Sequence, residues 1–260
     1  MTDHVLYRLD AQVATLILHR PETLNSLDVA TIDALLAGLD RALDEQARAL
    51  VLTGSGRAFC SGADLGAGSL ADVSPQDLDL GAAMRSHYNV IVERLRTLPI
   101  PVVVAVNGIA AGGGAALALA GDLVIAARSA SFRYLFIDLG LMPDMGATWQ
   151  LPRLIGRARA RGLSLLGDAL DAATAAQWGL IWQVVDDEAL PAAAQALAER
   201  LAAKSPAALR ETRAALDAAL DADLPAQLEH EAAGQTRLGR DPGFIKAVTA
   251  FLSKRSRKPG

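Results

Sequence analysis

The sequence contains a single cysteine, Cys60, among 260 residues, so no internal disulfide can form. One thiol is typical of a protein in a reducing compartment, and we predict a cytoplasmic location. The N-terminal segment MTDHVLYRLDAQ lacks a basic region followed by an apolar stretch, which argues against a secretion signal. Because no histidine lies at a spacing typical of a catalytic pair, we expect Cys60 to be a buried structural thiol.

Aromatic residues and excess positive charge are also scarce. Aromatics make up 4% of the chain and the formal net charge is −4. An acidic chain is unsuited to broad nucleic-acid binding, which needs a positive field, so no nucleic-acid partner is predicted. A local basic patch for a small anionic ligand stays compatible with this charge. Hydrophobic residues reach 52%, so a core can be built from Ala, Leu and Val.

One apolar run, residues 101–127, is long enough to suggest a membrane span. It reads PVVVAVNGIAAGGGAALALAGDLVIAA, and Asn107, the glycine triplet and Asp122 interrupt it. A buried strand, a turn, a buried helix and a second strand explain it better, so no membrane partner is predicted.

Hydrophobic periodicity predicts an α/β chain that becomes helical toward its C-terminus. Strands are predicted within VLYRLDAQVATLILHRP (two), ARALVLTGSG, IPVVVAV, DLVIAA, LIWQVVDD and part of Phe132–Leu139. Helices are predicted within SLDVATIDALLAGLDRALDE, Asp79–Leu98, NGIAAGGGAALALAG, RLIGRARARGLSLLG and DAATAAQWG, and in the alanine-rich region after Leu190. The segment RAFCSGADLGAGSLADVSPQ is expected to be a loop. We divide the chain into a core, residues 1–200, and a helical region, residues 201–260.

Two glycine-rich turns are the first candidates for chemistry. They are FCSGADL, Phe59–Leu65, and NGIAAGGGAAL, Asn107–Leu117. Small residues let a ligand approach the backbone, and two N–H groups from two such turns can converge on one oxygen as an oxyanion hole. Tight packing of a helix on a strand is the alternative explanation for the triplet. No phosphate-loop lysine, GxGxxG or HExxH pattern occurs, and no metal-ligand spacing is present.

A lone carboxylate, Asp144, stands among apolar and small residues in LGLMPDMGATW. Burial disfavours the charged form of an aspartate, so its pKa should rise and it becomes a usable proton shuttle near neutral pH. The alternative is a helix N-cap for the segment GATWQLPRLIG. Asp138, six residues earlier in a strand-like segment, is the competing carboxylate.

Several segments in order resemble the crotonase superfamily, also called the enoyl-CoA hydratase/isomerase family. They are AFCSGADL, the run at 101–127, LGLMPDMGATWQLPRLIG, AAQWGLIWQVVDD and AFLSKR, and the resemblance spans essentially the whole chain. It implies a spiral of ββα units and a helical C-terminal region that assembles homotrimers, often paired into hexamers. It also implies an acyl-CoA substrate, of which coenzyme A is part, and no separate cofactor or metal.

The resemblance also assigns residues. The oxyanion-hole donors are the backbone N–H groups of Ala63 and Gly113, with Gly112 beside them. Residues that contact coenzyme A lie in two places: Asn25 and Leu27 flank its chain, and Ala63, Asp64, Leu65 and Gly66 lie near its adenine end. The basic tail could meet its phosphates or be a solvated terminus: Lys254, Arg255, Arg257 and Lys258.

The two catalytic glutamates of the family's hydratases are replaced here by Ala116 and Phe136. Neither residue can transfer a proton, and Phe136 gives an aromatic substrate a surface to pack on. With Asp144 as the remaining acid, the chain resembles the branch that converts ring-1,2-epoxyphenylacetyl-CoA to oxepin-CoA in phenylacetate degradation and shifts β,γ double bonds to α,β positions. A hydratase that uses Asp144 with water, an isomerase of aliphatic chains only, and a non-catalytic acyl-CoA- or RNA-binding member are the alternatives.

Overall fold

The structure of the chain, a computed structural model, describes residues 4–66 and 78–255. Two compact units divide it, Met1–Ala202 and Ala203–Gly260. The loop predicted at residues 57–76 therefore lies outside the described residues from position 67 onward. So do Arg257, Lys258 and the side chains of Lys254 and Arg255, so their proposed contact with phosphates stays a prediction.

The first unit begins with a hairpin and a helix. Strand β1 (Val5–Asp10) runs antiparallel to β2 (Val13–Leu18), with Asp10 opposite Val13. Helix α1 (Val29–Asp44) follows, and the Asp28 side chain caps its N-terminus by accepting a 2.7 Å hydrogen bond from the Thr31 N–H. Strand β3 (Ala49–Gly54) then pairs in parallel with β2.

From β3 to β8 the chain alternates between two sheets: each long strand is followed by a short strand in the other sheet. The six-stranded sheet has the order β1-β2-β3-β5-β7-β10, with β5 (Val102–Val106), β7 (Leu123–Ala127) and β10 (Gln183–Val185) parallel to β3. The four-stranded sheet has the order β4-β6-β8-β9, formed by β4 (Ala58–Cys60), β6 (Ile109–Ala111), β8 (Ser131–Arg133) and β9 (Ala169–Asp171). Helices separate these strand pairs: α2 (Leu80–Ala83), α3 (Asn89–Thr97), α4 (Gly113–Ala118), α5 (Ala147–Leu166), α6 (Ala172–Trp178) and α7 (Leu190–Ala202).

The core lies around the six-stranded sheet. All five residues of β5 are buried, as expected for a parallel strand covered on both faces. Helix α7 packs against β2, β3, β5 and β7 and buries Leu190, Ala194, Ala198 and Ala202. Alanine lets this helix approach the sheet closely, which explains how a core poor in aromatic residues is filled.

The predicted α/β class and the longer elements are confirmed, while three short strands were missed. Strands β4, β6 and β9 have three residues each and lie in segments rich in glycine or alanine, so no periodicity marks them. The helix predicted over Asp79–Leu98 contains a π turn at Met84–Tyr88. Asp138, expected in a strand-like segment, lies instead in a short 3-10 helix, Leu135–Leu139.

The second unit is helical, with α8 (Pro206–Ala218), α9 (Leu224–Gly239) and α10 (Pro242–Arg255). Helices α8 and α9 are joined by a two-pronged ion pair in which Arg237 contacts both carboxylate oxygens of Glu211 at 2.9 and 2.7 Å. Within the described part of the chain, no helix combines the length and apolar character needed to cross a membrane. The function of this unit in assembly stays a prediction.

Candidate active site

The turn after β4 is held in place by Leu27. The Leu27 N–H donates to the carbonyl of Gly62 at 2.7 Å, and the Leu27 carbonyl accepts from the N–H of Asp64 at 2.9 Å. These two bonds form a parallel bridge between Leu27 and Ala63. In such a bridge the hydrogen bonds are made by the neighbours of Ala63, and Ala63 itself neither donates nor accepts one. The N–H of Ala63 therefore has no partner among the described residues, and Ala63 is exposed.

Asn25 holds the turn between β3 and β4. Its side-chain oxygen accepts from the Arg20 N–H at 2.8 Å, and its amide nitrogen donates to the carbonyls of Ser55 and Ala58 at 2.9 and 2.8 Å. The residue is 1% exposed. The oxygen and the nitrogen of this side chain are thus both used to support the turn that precedes β4, and its contact with coenzyme A stays a prediction.

The glycine triplet lies directly against this turn. A β-carbon on Gly62 would lie 3.1 Å from the nitrogen of Gly113, and one on Gly114 would lie 2.2 Å from the carbonyl oxygen of Cys60. Gly112 has φ +52, a conformation that favours glycine. Gly114 thus fits the packing explanation, whereas Gly112 is required for its backbone conformation. Gly113 is the first residue of α4, and its N–H finds no partner in the part of the chain that the structure describes.

Asp144 lies beside Gly113. A β-carbon on Gly113 would lie 3.9 Å from Oδ1 of Asp144 and 2.6 Å from the sulfur of Met145. Oδ1 is buried and has no hydrogen-bond partner within residues 4–66 and 78–255. Loss of solvation raises the pKa of this carboxyl to about 6, and its own backbone N–H offsets only part of the effect. The structure therefore brings together Ala63, Gly113 and a carboxylate that titrates near neutrality.

The N-cap alternative for Asp144 does not hold. The residue that caps α5 is Gly146, and no side chain hydrogen-bonds to the first turn of that helix. The contact of Asp144 with this helix is made by its main-chain carbonyl, which accepts from the Ala147 N–H at 2.9 Å. The competing carboxylate, Asp138, is exposed and paired with Arg133 at 3.1 Å, so its charge is already matched outside the site.

Ala116 and Phe136 line apolar surroundings. Ala116 is fully buried in α4, and Phe136 is 7% exposed. The Cζ atom of Phe136 lies 3.9 Å from the position of a β-carbon on Gly112, so the aromatic ring borders the glycine turn. Neither side chain can transfer a proton.

A half-buried charge cluster fixes the other side of the Ala63 turn. Arg20 contacts Asp64 at 2.9 Å and Asp28 at 3.2 Å, and Ser26 donates to Asp64 at 3.0 Å. Burial raises the pKa of Asp64, but the hydrogen bonds from Arg20 and Ser26 outweigh it, so the net pKa lies below its usual range. Asp64 is therefore a structural anion, whereas its neighbours Leu65 and Gly66 are exposed and open to a ligand.

Tyr88 is a site residue that the sequence reading missed. Its hydroxyl donates to the Leu27 carbonyl at 3.1 Å. Burial raises its pKa, and the charges of Asp28, Asp144 and Asp64 add to that shift. A tyrosine inside a predicted helix carries no local signal, since its placement depends on the π turn that ends at Tyr88.

Cys60 is confirmed as a structural thiol. It is fully buried, and burial raises its pKa to about 12. A contact with the Gly62 N–H, 3.5 Å from the sulfur, opposes that shift only weakly. Across the described ranges, no cluster of three His, Cys, Asp or Glu side chains is placed to hold a metal ion.

Comparison with known proteins gives one consistent family. The family model described as Enoyl-CoA hydratase/isomerase matches residues 8–258. The chain is 47% identical to the 1,2-epoxyphenylacetyl-CoA isomerase of Escherichia coli, and the match covers 98% of both chains. It is 46% identical to a protein of Rhodobacter capsulatus named probable enoyl-CoA hydratase, and that match covers 98% of this chain and 97% of the relative. A crystal structure of enoyl-CoA hydratase/isomerase from Cupriavidus metallidurans superposes with a TM-score of 0.89 at 33% identity, covering 98% of this chain and 95% of that one. These matches confirm the predicted crotonase-type fold.

Proposed function

Since the chain belongs to the enoyl-CoA hydratase/isomerase family, we propose that it is an acyl-CoA isomerase in which Asp144 shuttles one proton. The observation that carries this proposal is the state of Asp144: buried Oδ1, unpartnered within the described residues, next to Gly113. Ala116 and Phe136, which stand where the resemblance places the hydratases' two glutamates, cannot transfer a proton, so we assign the proton transfer to Asp144.

The backbone N–H groups of Ala63 and Gly113 donate to the thioester oxygen of the substrate. These hydrogen bonds strengthen as the carbonyl gains negative charge. Asp144, as a carboxylate, removes a proton from the α-carbon of a β,γ-enoyl-CoA, and the electron pair delocalises onto the thioester oxygen as a dienolate. The protonated Asp144 then returns the same proton to the γ-carbon, which leaves the α,β-enoyl isomer and restores the carboxylate. The proposed step needs only protein groups, with coenzyme A as part of the substrate.

The substrate we propose is 2-(1,2-epoxy-1,2-dihydrophenyl)acetyl-CoA, which isomerises to oxepin-CoA without gain or loss of atoms. The isomerase from Escherichia coli at 47% identity supports this choice. The buried Phe136 supports it as well, because an aromatic wall suits a ring-bearing acyl group. Shifting of β,γ double bonds to α,β positions in enoyl-CoA is proposed as an activity of the same residues.

Hydration is the second candidate function, favoured by the relative from Rhodobacter capsulatus. It would use Asp144 to activate a water molecule. The two reactions are separated by assaying crotonyl-CoA hydration beside isomerisation of a 3-enoyl-CoA and of the epoxide formed in situ. We expect isomerisation to dominate; hydration as the faster reaction would replace the proposal.

The variant Asp144→Asn tests the acid directly. We expect it to lose isomerisation while acyl-CoA binding stays measurable by calorimetry, because Asn keeps the shape but cannot take a proton. Asp138→Asn is the matched control and should keep full activity, since Asp138 is paired with Arg133 at the surface. Near-normal turnover by Asp144→Asn would reject the proton shuttle.

We also propose assembly into a homotrimer or a hexamer through the second unit. Its helices expose large apolar side chains, which is unusual for a surface left in water. The most exposed are Leu216, Leu220, Leu224, Leu228, Phe244, Ile245 and Leu252. Light scattering coupled to size-exclusion chromatography should give three or six times the 27.2 kDa chain mass; a monomer would reject this assembly.

A further inference from the structure

The side-chain amide of Gln150 is buried and lacks hydrogen-bond partners within the described residues. It lies in α5 and is 3% exposed. Neither its Oε1 nor its Nε2 atom has a hydrogen-bond partner among the residues that the structure describes. Native proteins rarely leave a buried polar group unpaired, and here one side chain leaves both ends unpaired. A ligand that hydrogen-bonds to this amide would satisfy it.

The amide lies against the loop that carries Asp144. Its Nε2 atom is 3.7 Å from the position of a β-carbon on Gly146, and Cγ1 of Val92 is 3.9 Å from the same point. Gly146 is only two residues beyond Asp144. Gln150 and Val92 thus border the segment that begins with the acid.

Helix α3 relates this region to the thioester end of the site. Tyr88, directly before α3, reaches Leu27 and feels the charge of Asp144, while Val92 contacts the region of Gly146 and Gln150. Four residues along a helix are about 6 Å and one turn, so the two side chains share a face. This face of α3 therefore connects the Leu27–Ala63 bridge, which Tyr88 contacts, with the region of Gly146 and Gln150, which Val92 contacts. We take an acyl group whose thioester is held at Ala63 to extend along this face toward Gln150.

We propose that Gln150 hydrogen-bonds an oxygen atom carried by the acyl group, and so selects oxygenated acyl groups over plain hydrocarbon ones. This inference rests on the proposed function. In the epoxide, the oxygen bridges ring carbons 1 and 2, next to the carbons that Asp144 serves. It accepts a hydrogen bond from Nε2. A hydrocarbon acyl group leaves the amide unpaired, and a site built around a polar contact rejects such a ligand.

Stable ligands test this without turnover. Phenylacetyl-CoA has no ring oxygen, 2-hydroxyphenylacetyl-CoA has one at the epoxide position, and 4-hydroxyphenylacetyl-CoA has one at the opposite end of the ring. Calorimetric titration of the wild-type protein should show at least tenfold tighter binding of the 2-hydroxy ligand than of the other two. In Gln150→Met, which keeps side-chain length but loses both polar atoms, that preference should disappear. Gln195→Met is the control, because Gln195 bonds only to Glu199 on the surface of α7 among the described residues.

The outcomes separate this inference from the proposed function. Equal binding of the three ligands by the wild type, or a preference that survives in Gln150→Met, overturns the assignment of Gln150 even if the wild type isomerises its substrate. If Gln150→Met fails to fold, the relative affinities of the wild-type protein for the three ligands test the proposal. A wild type that shows the preference but does not isomerise any acyl-CoA keeps the binding assignment and rejects the proposed reaction.

Discussion

The hydroxyl of Tyr88 donates to the carbonyl oxygen of Leu27, the residue that pairs with Ala63. The same carbonyl accepts the N–H of Asp64, so one oxygen joins the π turn before α3 to the turn that carries the proposed donor. This bond fixes the direction of the Ala63 N–H through main-chain geometry.

Removing that hydroxyl should slow the reaction with little change in fold. We expect Tyr88→Phe to lower kcat about tenfold, because small displacements of a positioned donor are costly in rate. KM should change less, since the coenzyme A contacts are retained. Tyr7→Phe is the matched control: it also loses one hydrogen bond, to Glu45, but on the outer strand β1. Equal kcat in Tyr88→Phe and Tyr7→Phe would count against this positioning.

The rate should depend on the ionisation of Asp144. Its pKa in the folded protein is raised to about 6, and the shuttle must start as a carboxylate. We therefore expect kcat/KM to be constant at neutral pH and to fall on acidification through about pH 6, by tenfold per unit well below it. Asp138→Asn should leave this profile unchanged. An acid limb near pH 4, where a solvated aspartate titrates, would contradict the burial argument.

Two substitutions at Gly113 separate its N–H from its lack of a side chain. Gly113→Ala keeps the N–H but adds a β-carbon 2.6 Å from the Met145 sulfur, which must move. Gly113→Pro adds the same β-carbon and removes the N–H. We expect Pro to lower kcat about 100-fold or more beyond Ala, the usual effect of losing one oxyanion-hole donor.

The control for this pair is Gly162→Ala in α5, where a β-carbon meets nothing within 4 Å. It should leave kcat unchanged and raise the free energy of unfolding by about 0.5–1 kcal/mol, as alanine favours helix. Circular dichroism checks that each variant is folded. Equal activity of the Ala and Pro variants at position 113 would remove this N–H from the mechanism.

Tyr134 offers a contrasting test of an unused hydroxyl. The residue is fully buried, burial alone raises its pKa, and its hydroxyl has no partner within the described ranges. Tyr134→Phe removes an unpaired polar group, so we expect the free energy of unfolding in urea to rise by about 1 kcal/mol. A loss of stability would mean that the hydroxyl is hydrogen-bonded in solution, for example to an ordered water.

Local patterns determined much of this protein. The β-branched run of β5, the helical spacing in α1 and the order of the glycine-rich and Asp144 segments were enough to predict an α/β chain, its longer elements and its family. These features are visible because periodicity and turn residues act over a few neighbouring positions. The apolar surroundings of Asp144 in sequence likewise predicted a raised pKa.

Tertiary structure decided what those residues contact. The local sequence does not show that the Asn25 side chain is hydrogen-bonded to backbone groups or that Asp138 is paired with Arg133. It also does not show that Asp144 lies beside Gly113 rather than capping α5. Tyr88 and Gln150 lie in helical segments, and only the packing of α3 against the Asp144 loop brings them to the site. Such contacts join residues that are far apart along the chain, so burial and partner are fixed only when the strands and helices assemble.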